Sequence, residues 1–161
     1  MRRSIYIAAL LALALCNTSS ANEIEGLRLG MTTEQVLKAA GEKGYTFSNP
    51  MKSGSNWTSY VLMKGGPTIS FCGSVLSSMT KSYDSNLHEF ANLVGQWTRE
   101  LGPPDEAKAS QQFVEGSPFS NLFYNWNGTD NVRRSLGFYQ LGSHGPQVSY
   151  GYDYINHACR R

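Results

Sequence analysis

The residues able to do chemistry are few and scattered. The three histidines are His88, His144 and His157, and none has a carboxylate or second ligand at useful local spacing. No nucleophile elbow, phosphate-cradling loop, dinucleotide fingerprint or H-E-x-x-H run is present. The acidic residues are dispersed, and no carboxylate pair stands out for glycoside hydrolysis. His157 and Cys159 lie close together but lack the further ligands that zinc needs. The sequence therefore implies no catalytic residue, metal or cofactor. One catalytic alternative stays open, a small hydrolase or ligand-binding protein whose site assembles from distant residues around His144 or His157.

Aromatic side chains are the more unusual feature. Tyr150, Tyr152 and Tyr154 alternate, so they project from one face of a strand. Tyr124 and Trp126 share a parity on a nearby segment, and Trp57 opens an earlier one. Tyr and Trp give large contact area at modest entropy cost and are enriched at binding hot spots. Two readings stand. Val148 and the three tyrosines form the sheet face that covers a helix, or the six aromatic residues form a recognition surface for a protein partner.

Cysteine usage points to a compartment. Arg2-Arg3, the apolar run Ile5 to Leu15 and the small residues Ser19-Ser20-Ala21 read as a secretory signal over residues 1 to 21. A rival reading acylates Cys16, making an outer-membrane lipoprotein, and membrane contact is expected only in that case. With the leader removed, Cys72 and Cys159 remain, and an even pair in an oxidising compartment reads as a disulfide. It would close a loop of about ninety residues, for which loop entropy gives on the order of 4 kcal/mol as an upper figure. The leader looks bacterial, so the expected location is periplasmic or secreted.

Charge excludes some partners. Of 14 basic residues, Arg2 and Arg3 belong to the leader, leaving 12 against 12 acidic. A chain near neutrality has no basic surplus for nucleic acid or anionic membranes. Its 161 residues suffice for one core, and residues 22 to 161 are read as a single domain.

The element that must position any surface is the stretch Asn86 to Pro104. Leu87, Phe90, Leu93, Val94, Trp97 and Leu101 recur at steps of three and four, the spacing of a helix stripe. Asn86 can cap its start, Glu89 can reach back to the cap's amide, and Gly102 with Pro103-Pro104 ends it. A shorter helix starts at the T-x-x-Q box of Thr32 and Gln35, buries Val36, Leu37 and Ala40, and stops at Gly41.

The opening run Gly26-Leu27-Arg28-Leu29-Gly30-Met31-Thr32-Thr33-Glu34-Gln35-Val36-Leu37 resembles the start of small exported domains of the SmpA/OmlA outer-membrane assembly class. Its G-M-T-x-x-Q-V-L portion is similar to the repeat opening of the β-lactamase inhibitor protein family. The resemblance implies a glycine-led turn, a short helix and a small antiparallel sheet. The inhibitors carry the opening twice and this chain once, so the resemblance brings no inhibitory activity and no site residue.

The remaining segments alternate as strands: Trp57 to Met63, Thr68 to Phe71, Val75 to Tyr83, Ala107 to Val114, Leu122 to Trp126, Val132 to Leu141 and Gln147 to Ile155. Residues 48 to 56 and 115 to 121 read as loops. The expected fold is α+β, an antiparallel sheet packed against one long and one short helix. The expected function is a non-catalytic periplasmic module that binds a cell-envelope protein or a hydrolase. An envelope lipoprotein anchored through Cys16 is the structural alternative.

Overall fold

Alternating apolar and polar side chains draw most of the chain into strands, and two capped amphipathic segments interrupt them. The computed structural model describes residues 22–54, 56–114, 117–141, 145–156 and 159. The expected leader with Cys16, and the histidines His144 and His157, lie outside the described residues.

A small ribbon opens the fold, β1 (Glu23–Ile24) against β2 (Leu27–Arg28). Its two-residue turn takes φ 54° at Glu25 and 83° at Gly26, the sense of turn that matches strand twist. Helix α1 (Thr33–Glu42) follows. The Thr32 side chain accepts from the Gln35 amide while the Gln35 side chain accepts from the Thr32 amide, so the capping box forms as expected. The helix does not stop at Gly41: it runs one residue further and caps at Lys43. Leu37 is 52 % exposed, so the buried face is Val36 and Ala40 alone.

Strands β3 (Met51–Ser53), β4 (Trp57–Val61), β5 (Thr68–Cys72) and β6 (Val75–Asp84) form one antiparallel meander. Strands β7 (Glu106–Val114), β8 (Ser117–Asn127), β9 (Val132–Leu141) and β10 (Gln147–Tyr154) form a second. Helix α2 (Leu87–Leu101) joins them, and β10 pairs with β6 to weld both into one eight-stranded sheet, ordered β3-β4-β5-β6-β10-β9-β8-β7.

The α+β expectation is overturned. The described residues are mostly β, an eight-stranded antiparallel sheet with a two-stranded ribbon, and the two described helices are only 10 and 15 residues long. Two expected loops turned out to hold strand. β3 lies inside the segment 48 to 56, and β8 begins at Ser117 despite Pro118. Pairing with a neighbour extended both, because a hairpin partner stabilises residues of poor strand propensity.

Both helices cover the same side of the sheet. Val36 and Ala40 of α1 pack with Ile24, Leu62, Ile69, Leu76 and Met79. Phe90 of α2 packs with Trp126, Leu136, Phe138 and Val148, flanked by Leu93, Val94 and Trp97. The ends of the expected α2 stripe are not in that core: Leu87 is 53 % and Leu101 43 % exposed. Asn86 caps α2, but Glu89 accepts from Ser85 and Tyr83 rather than from the cap amide. Gly102 ends the helix at φ 87°, ψ −173°, a region open essentially only to glycine. Cys72 and Cys159 are joined in a disulfide, with Cα atoms 5.7 Å apart.

Candidate functional site

Strand pleating settles which side chains the helices cover. The parity of Val148 in β10 carries Tyr150, Tyr152 and Tyr154 to the helix side. Tyr152 stacks on Trp97 of α2 at 6.3 Å between ring centroids. Burial pushes the hydroxyl pKa of Tyr150 and Tyr152 up. The Tyr154 hydroxyl comes within contact range of Gly30, where an added Cβ would stand 3.1 Å from it. In β8, Tyr124 and Trp126 point the same way, against Phe90 and Trp97. Trp126 is 3 % exposed, and its indole N–H donates to the Gly102 carbonyl at 2.9 Å, tying the helix end to the sheet. Five of the six aromatic residues singled out from the sequence thus stand on the helix side of the sheet. Tyr150 and Tyr152 pack with the helix-covered clusters, and Tyr154 meets Gly30 ahead of α1.

Trp57 is the sixth and stands on the opposite side. Its neighbour Thr58 pairs with Phe71, which is buried toward the helices, while Trp57 itself pairs with Cys72. No described helix lies on that side of the sheet. Its cross-strand rungs are short and polar in the middle: Ser59, Ser70, Ser78 and Asp153 form one, Thr80, Gly151, Ser135 and Asn125 another. Ser59 and Ser70 hydrogen-bond at 2.7 Å, and Ser135 donates to Asn125 at 2.7 Å.

Toward β8 and β9 the same side becomes aromatic. Phe123 meets Tyr139 edge-on at 5.2 Å, and Phe119 lies 6.1 Å from Tyr139. These rings close over Gly137. A Cβ there would come within 2.7 Å of Ser149 Oγ, 2.9 Å of Tyr139 Cε2 and 3.1 Å of Phe123 Cε1, so only glycine admits this packing. Gly151 is equally constrained, with Thr80 Oγ1 at 2.7 Å from its would-be Cβ. The result is a trough of about 180 Å³ with a floor of Ser78, Thr80, Ser149 and Gly151 and a wall of Phe123 and Tyr139. Burial raises the Tyr139 hydroxyl pKa, and a hydrogen bond with Ser149 opposes part of that rise.

The sequence reading missed Phe119, Phe123 and Tyr139. Phe123 was legible as the parity opposite Tyr124 and Trp126 in β8, and Tyr139 lies on β9, whose side the residue types alone do not give. Phe119 fell in the segment 115 to 121, read as a loop, so its parity could not be followed.

Charge on the helix side is paired. Lys81 and Tyr45 both hydrogen-bond Glu25. Burial acts to raise the Glu25 pKa, but these two donors outweigh it and hold the carboxyl below its usual range. Arg134 grips Asp130 at 2.6 and 3.2 Å and holds that carboxyl at about 2. Among the described residues, no three His, Cys, Asp or Glu side chains converge at metal-binding distance. No described helix is long and apolar enough to cross a membrane. No protein-family model matches the chain, and no curated protein matches it either.

Proposed function

We propose that the protein is a non-catalytic binding module of the periplasm or secreted space, exported by its leader. In this reading the helix-free side of its sheet docks a protein of the cell envelope or a hydrolase held inactive. What supports the reading is one observation. Both described helices lie on one side of the sheet, which still places Trp57, Phe119, Phe123 and Tyr139 on the other. Aromatic residues on the side that holds no described helix, around a floor of small hydroxyl side chains, have the composition of a protein interface. The opening run that resembles the SmpA/OmlA class is in keeping with an exported chain. The surface differs from the one expected from sequence, since only Trp57 of the six candidates belongs to it.

The test uses a photo-crosslinking phenylalanine in place of Ser82, which pairs with Ser149 beside the trough, and a second in place of Gln96 on α2. The probe at 82 should trap a discrete envelope protein, and the probe at 96 should not. Trapping through 96 alone would move docking to the helix layer and end the reading. The intact mass of the same exported protein distinguishes a chain cut after Ala21 from one acylated at Cys16.

A further inference from the structure

The sheet has a second kind of free surface, distinct from its open side. Strand β7 is the outermost strand in the order and pairs with β8 alone among the described strands. Every second backbone amide and carbonyl along its outer side is therefore left without a ladder partner among the described strands. Residues 107 to 112 are all exposed. The two charges of β7, Glu106 and Lys108, point to the helix-free side and pair with each other at 2.5 Å.

The other parity of β7 carries Ala107, Ala109 and Gln111 toward the helix side. There α2 stops short of the sheet edge. A trough of about 400 Å³ runs between the exposed Leu87 at the start of α2 and Ala109, Leu122 and Phe138. No charged side chain lines it.

We infer that the outer edge of β7 is a strand-addition site, which takes an extended polypeptide segment bearing large apolar side chains at alternate positions. The edge fixes the backbone chemistry, because its free groups recur at strand spacing and a helix could not meet them. The trough fixes the side-chain chemistry, because an uncharged and mostly apolar cavity beside the edge, which Gln111 and Ser120 also line, receives every second residue of an added strand. A second copy of this chain is the competing occupant, and dependence on protein concentration separates it from an added peptide strand.

The probe is a capped nine-residue peptide with valine at alternate positions, threonine between them and lysine at both ends. It is titrated into the full mature protein and followed by amide hydrogen exchange and side-chain NMR. Exchange should slow at alternate amides within 106 to 112, and the Leu87, Leu122 and Phe138 signals should shift. Ala109→Lys and Leu87→Gln, both at exposed positions, should each weaken the peptide about tenfold or more at unchanged melting temperature. Ser82→Arg, on the helix-free side, should leave the peptide's affinity as it was, so this result is independent of any partner trapped at 82. Unaltered β7 exchange at millimolar peptide would overturn the inference, as would full affinity in both trough variants. Protection of β7 that rises with protein concentration alone would give the edge to a second copy instead and overturn it too.

Discussion

Both sides of the sheet carry aromatic residues, and those residues come to opposite ends. Strand β8 shows this within one segment: Tyr124 and Trp126 enter the helix layer, while Phe119 and Phe123 stand on the uncovered side with Tyr139. Nothing in the residue types separates the two sets. Pleat parity separates them, together with the side on which the helices settle. An aromatic strand is therefore no evidence of a binding surface until the helix-covered side is known.

The comparison breaks most visibly at Trp126. Trp126→Ala would empty a buried site and orphan the Gly102 carbonyl, at a cost of about 3–5 kcal/mol in urea unfolding. A loss below about 1 kcal/mol would mean that the helix side is not the core side. Next in size is the disulfide. Cys72→Ser with Cys159→Ser should cost about 2–4 kcal/mol by the same measurement, and reductant should then have no further effect.

The sharpest contrast is a matched pair. Tyr152→Ala removes the ring stacked on Trp97 and should cost about 1–3 kcal/mol. Tyr139→Ala on the opposite side should cost clearly less, and it should abolish trapping through a probe at position 82. Equal losses of stability would erase the distinction between the sides.

The smallest effect is electrostatic. The Asp130 pKa is depressed from 3.8 to about 2 by Arg134, so its contribution is present above the ordinary value and is lost as pH falls toward about 2. The carboxylate side chain is 44 % exposed, so screening holds the contribution below about 1 kcal/mol. Asp130→Asn should lower stability at neutral pH by less than about 1 kcal/mol, flatten the acid limb over that window, and leave stability near pH 2 almost unchanged.

Local signals were legible, and long-range ones were not. Asn86, the three-and-four spacing of Phe90 to Trp97 and Gly102 mark α2, and Thr32 with Gln35 marks α1, because caps and stripes are written in neighbouring residues. The cysteine pair was legible through its parity of number and is closed in the structure. Leu87 and Leu101 misled, since a stripe records periodicity and not the length of the surface that covers it. The bulge between Ser70 and Phe71 also escaped notice. It shifts the register against β6, so Leu76 is buried while Val75 is exposed. Which strands are neighbours is the least local fact of all. No feature of Gln147 to Tyr154 announces that it pairs with Ser78 to Asp84.

That pairing has a consequence for biogenesis. The strand latest in chain order sits in the interior of the sheet, with β6 on one flank and β9 on the other. Until it has emerged and inserted, the two hairpin arrays have no seam between them, and each presents a raw border to the surroundings. A nascent or clipped chain lacking those eight residues would leave two half-sheets vulnerable to proteases, so quality control could discriminate finished from unfinished copies by one splice.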